Sequence, residues 1–139
     1  PRASRVSSQP LPLTDGCARG MLSLETGPLN GCVIQRNVIL TRTPGQAFVS
    51  QIRIHGAGRR ALLRDTHSDH NLYYCLGDPG LGSAFVAECR AFGIDVHSLG
   101  CDPGFRDAAN GDFDLASDSP LRQLGFQPLP LARMRSVRE

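Results

Sequence analysis

Arg36-Asn37-Val38-Ile39-Leu40 and His70-Asn71-Leu72-Tyr73-Tyr74 share one plan: a polar residue, an asparagine, then an apolar run, with 34 residues between equivalent positions. β-Branched and aromatic residues dominate the runs, so both read as short strands. A step within the range of about 20–50 residues is the mark of stacked repeats. Asparagine suits the corner of such a stack, because its amide both donates and accepts and can bond the equivalent amide above or below. The pattern predicts strands related by the 34-residue step, with Asn37 and Asn71 meeting at a corner; two instances alone are also compatible with coincidence.

Working outward, Cys32–Leu40 reads as two strands meeting at a bend near Arg36-Asn37. Thr43-Pro44-Gly45 is a turn, and Ala47–Ile54 alternates as a half-exposed strand should. His55–Arg59 is a loop, and Ser68–Asn71 is a bend leading into the second apolar run. Gly77-Asp78-Pro79-Gly80 reads as a loop before one short helix, Ser83 to Gly93, with Ser83 as cap and Phe85, Cys89 and Phe92 on the inner face. The tail carries turn signals at Asp102-Pro103-Gly104-Phe105 and Asn110-Gly111, then an edge strand at Asp112–Leu115. Ser117-Asp118-Ser119-Pro120 starts a final turn of helix with Leu121 and Leu124 inward and Gly125 as its stop.

Composition narrows the class. Gly and Pro supply 25 of 139 residues, so turns are frequent and long helices are disfavoured. A net charge of +2 is too small to point to a nucleic-acid partner. No apolar run approaches the roughly 20 residues of a membrane span. The five cysteines form no CxxC pair and read mainly as small apolar core residues. All fifteen basic residues are Arg, whose forked donors suit carboxylates and sugar hydroxyls.

Two clusters could carry chemistry. Asp65, His67 and Asp69 share one face of an extended segment, where two carboxylates and an imidazole could act as general acid and base or hold a divalent cation. Arg59, Arg60 and Arg64, with His55, could line a groove for acidic sugars. The bland reading of both is a solvated, Arg-rich loop. Asp102, Asp107, Asp112 and Asp118 sit at turns and caps, where short carboxylates accept backbone N–H groups, so they are assigned to folding.

The series Ser68-Asp69-His70-Asn71-Leu72-Tyr73-Tyr74, Phe92-Gly93-Ile94-Asp95-Val96-His97-Ser98, Asp102-Pro103-x-Phe105-x-Asp107, Asn110-Gly111-Asp112-Phe113-x-Leu115, Asp118-Ser119-Pro120 and Leu124-Gly125-Phe126-x-Pro128 resembles the C-terminal end of secreted bacterial right-handed parallel β-helix proteins of the pectate-lyase-like kind. The resemblance implies an all-β fold: the last one or two coils of a right-handed parallel β-helix with a C-terminal cap containing one short helix. The corresponding division is an irregular segment over 1–30, coils over 31–82, a cap over 83–128 and a frayed tail over 129–139. It further implies a non-catalytic closing segment of a carbohydrate-active protein (a polysaccharide lyase, glycoside hydrolase or epimerase), or else a non-enzymatic glycan-binding or adhesive module. Its expected partners are a polysaccharide or glycan and the upstream coils of the same protein, and its expected location is extracellular or periplasmic. No organic cofactor is implied, and a divalent cation such as calcium is compatible with the acidic residues.

Overall fold

The computed structural model describes residues 21–24, 30–51 and 66–127. Among the described residues, eight short strands and one α-helix run in the order β1 (Leu22–Leu24), β2 (Val33–Gln35), β3 (Val38–Thr41), β4 (Val49–Gln51), β5 (His67–Asp69), β6 (Leu72–Cys75), α1 (Pro79–Ala91), β7 (Phe105–Asp107) and β8 (Asp112–Leu115). Strands β2 and β3 flank a bend at Arg36, as the sequence indicates, and β5 and β6 flank the equivalent bend at His70. Both bend residues take the left-handed backbone, with φ of 53° and 57°.

The 34-residue step is real as a pairing register. Val33 stands opposite His67, and Val38 opposite Leu72, in parallel. Asn37 donates from its backbone amide (3.0 Å) and side-chain amide (3.2 Å) to Oδ1 of Asn71. This satisfies polar groups beside the core, where an unpaired one would cost about 1–3 kcal/mol.

The expected all-β parallel β-helix is nevertheless not what the described residues form. Each parallel sheet has only two strands (β1–β4, β2–β5, β3–β6), and no stacked wall of coils develops. Two causes are visible. The pairing steps differ, since Leu22 pairs with Val49 across 27 residues while Val33 pairs with His67 across 34. A further step of 34 from Leu72 lands on Arg106, where the chain has already entered the antiparallel hairpin β7–β8. The arrangement is a mixed α/β one, with Phe85, Val86 and Cys89 of α1 joining the strands in the interior.

Strand β6 explains the packing. Successive side chains of a strand point to opposite faces, and β6 is covered on both, so its run Leu72-Tyr73-Tyr74-Cys75 is apolar throughout. Tyr73 and Cys75 join Ile39, Phe48, Phe85, Val86 and Cys89 in one core, between the parallel strands and α1. Phe48, Tyr73 and Phe85 make a mutual ring cluster with centroids 4.6–5.6 Å apart. Leu72 faces the other way, onto Leu121 and Leu124, with Phe105, Leu115 and Phe126 around them. The tail therefore supplies the second core.

Helix α1 begins earlier than its sequence suggests. Asp78 is the N-cap, accepting from the amide of Gly80, and Pro79 occupies the first turn. Ser83 lies inside the helix and donates to the Gly80 carbonyl (2.8 Å). The helix ends as read, at left-handed Gly93. The amides of Gly93 and Ile94 donate to the carbonyls of Arg90 and Cys89, a Schellman closure. Phe85 and Cys89 are buried as expected, but Phe92 is 73% exposed and Val86 takes the inner place instead. In the tail, Ser119 rather than Asp118 caps the last turn, and Phe113 lies outside, its ring edge-on to Phe105 at 5.4 Å.

Candidate functional site

The polar side chains that converge do so around the corner joining β5 to β6 and the segment 95–99 that follows α1. They separate into a buried group and an exposed group. The buried group is centred on Asp95, whose carboxylate is fully enclosed. Its Oδ1 accepts from Ser98 Oγ (2.6 Å) and Asn71 Nδ2 (3.0 Å). Its Oδ2 accepts from Ser68 Oγ (3.0 Å) and the Tyr73 hydroxyl (3.1 Å). Four donors saturate the carboxylate, which is the condition for keeping one inside a protein. Burial, together with the neighbouring charge of Asp95, drives the Tyr73 hydroxyl well above its ordinary pKa. This group ties β5, the corner and β6 to the segment 95–99.

The exposed group consists of Asp69, His70 and His97. Oδ1 of Asp69 accepts the backbone amides of His70 (2.9 Å) and His97 (2.7 Å). Its Oδ2 lies 2.7 Å from Nδ1 of His97 and 3.4 Å from Nδ1 of His70. The two imidazoles stack at 5.0 Å with planes 21° apart. Burial alone would raise the Asp69 pKa, but the ring and amide hydrogen bonds of His97, the amide of His70 and the His70 charge together hold it below its usual value. When Nδ1–H of His97 donates to Asp69, Nε2 carries the lone pair, the geometry of a positioned base; when Nδ1 is deprotonated, its lone pair is the one directed to the Asp69 side. Beside this group a cleft of about 170 Å³ is lined by Thr66–Asp69 and Phe92–Val96.

The sequence-stated candidates fare unevenly. Asp65, Arg59, Arg60, Arg64 and His55 lie outside the described residues. His67 is exposed on β5, with its Cα opposite Val33. Asp69 does join a polar cluster, but its partners are His70 and His97. Ser98 turns inward to Asp95, while its neighbour His97 turns outward to Asp69. The tail carboxylates do serve turns, with Asp102 accepting from the Gly104 amide, Asp107 from Asn110 and Asp112 from Asp114. Among the described residues, no helix is long and apolar enough to cross a membrane. Comparison with family models, curated proteins and solved structures finds no match to this chain.

Proposed function

We propose that the described part of the chain is a structural closing segment rather than a reaction centre. What supports this reading is an asymmetry between two strand edges. Along β5 and β6 the outer edge is occupied. The Asp95 amide donates to the Ser68 carbonyl, the Leu99 amide to the Asn71 carbonyl, and the Tyr73 amide to the Leu99 carbonyl. Gly82 of α1 and Gly100 seal the same edge at backbone contact: a Cβ on Gly82 would lie 2.1 Å from the Tyr73 carbonyl oxygen, and one on Gly100 would lie 2.3 Å from the Gly82 backbone. Along β2 and β3 the opposite edge has no strand partner among the described residues. An open edge invites further pairing and a covered edge stops it. The segment thus covers one edge with a single parallel bridge, Leu72 to Leu99, and leaves the other edge able to pair further. By the sequence resemblance alone, the protein it serves handles carbohydrate and is exported.

Gly100→Val tests the reading, because the new side chain must push the covering segment off β6. The expected result is a lower melting temperature and concentration-dependent self-association beyond that of the parent in size-exclusion chromatography. The chain alone should also release no sugar from uronate-containing or neutral polysaccharides. A Gly100→Val protein with the parent's melting temperature and size, or sugar release by the chain alone, would overturn the proposal.

A further inference from the structure

We propose that Asp69, His70 and His97 form a binding site for a divalent transition metal of the zinc class, which fastens the corner after β5 to the segment 95–99. The inference stands on the geometry of these three residues and holds whether or not the segment is a closing one. One ligand atom from each residue lies within 4.8 Å of the others. With metal–ligand bonds of about 2.0–2.2 Å, neighbouring ligands of a tetrahedral site stand about 3.4 Å apart. Nδ1 of His70 is already 3.4 Å from Oδ2 of Asp69, and Nδ1 of His97, at 2.7 Å, has only to open slightly. His97 can do so, since its side chain is 65% exposed.

The carboxylate is prepared for the task. Two backbone amides hold Oδ1, so Oδ2 is the oxygen presented to the imidazoles. Outer hydrogen bonds of this kind orient a metal ligand and raise its affinity. His70 is delivered by its left-handed backbone. Arg36 has the same conformation at the equivalent bend, so the conformation belongs to the corner and the imidazole is what distinguishes this one. The donor set decides the metal. Two imidazoles and one carboxylate suit zinc, nickel or cobalt, whereas calcium and magnesium require a shell made mostly of oxygen. Three protein ligands leave a fourth position for water.

The test is titration of the full chain with zinc, followed by calorimetry and thermal melting, in a Cys17→Ser/Cys32→Ser/Cys101→Ser background that leaves only the buried thiols Cys75 and Cys89. The expected result is one saturable site with a rise in melting temperature, and no comparable effect from calcium. His97→Ala and His70→Asn should each weaken zinc at least tenfold; Asn is chosen because it tolerates the left-handed backbone. Cobalt(II) should give the visible bands of a tetrahedral nitrogen–oxygen site without a thiolate charge-transfer band. Independently of any variant, zinc should shift the ring resonances of His70 and His97 in the parent chain. Undiminished zinc affinity in the His97→Ala/His70→Asn double variant, or ring resonances unmoved by saturating zinc, would overturn the proposal.

Discussion

Asn71 is the residue on which the two halves of the parallel arrangement depend. Its side-chain oxygen Oδ1 accepts from the backbone and side-chain amides of Asn37, while its Nδ2 donates toward the Ile34 carbonyl, Ser68 Oγ and Asp95 Oδ1. Removing it takes one of four donors from the buried Asp95, the side-chain donor from the Ile34 carbonyl and the acceptor from the Asn37 amides, and each buried polar group left short of a partner costs about 1–3 kcal/mol. Asn71→Ala should therefore destabilise the chain by about 3 kcal/mol or more in denaturant titration. Asn37→Ala should cost less, because Asn37 is exposed and its loss leaves the Asp95 contacts intact. An equal cost at the two positions would contradict this assignment. The asparagine pair was legible in the sequence because both members follow the same local plan. Asp95 and His97 were not assigned their partners, since Ser68 and Asp69 stand 27 and 28 residues earlier and no local pattern joins them.

At the scale of elements, α1 shows why its first turn escaped notice. Asp78-Pro79 is a proper helix start, but Gly80 and Gly82 close behind it make the stretch read as a loop. The two glycines have different reasons to be there. At Gly80 a Cβ would meet only the Asp78 carboxylate, at an ordinary 3.4 Å. At Gly82 it would collide with the Tyr73 carbonyl, the contact by which the helix docks on β6. Helix propensity favours Ala over Gly by about 1 kcal/mol at either site. Gly80→Ala should accordingly be neutral or stabilising by up to about 1 kcal/mol, whereas Gly82→Ala should destabilise by about 2 kcal/mol through overpacking. Opposite signs in paired thermal melts would separate propensity from docking; a gain at both positions would mean that the helix sits further from β6.

For the molecule as a whole, the repeat was visible in the sequence but its extent was not. Two matching segments specify a register, and only a third would specify a stack; at the third position, Arg106, the chain is instead in β7 of the antiparallel β7–β8 hairpin. What the described residues do share is a set of acids whose neutral form is favoured by desolvation. Burial, then the charges of Asp95 and Glu88, pushes the Cys89 thiol from 9.0 up to about 12. Burial first, with the neighbouring Asp95 or Asp102, also raises Tyr73, Tyr74 and Cys101. Below pH 9 these groups are protonated whether the chain is folded or not, and their contribution to stability is fully present. Above it the unfolded chain loses protons that the folded chain retains, so stability falls as pH rises. The chain has no Lys, and Arg keeps its charge throughout this range, so the alkaline limb belongs mainly to these thiols and phenols. Denaturant titrations between pH 8 and pH 12 should show a continuous loss of stability, and Cys89→Ala should flatten its slope. A stability unchanged across that range would mean that Cys89 and Tyr73 are not enclosed together in the core between β6 and α1.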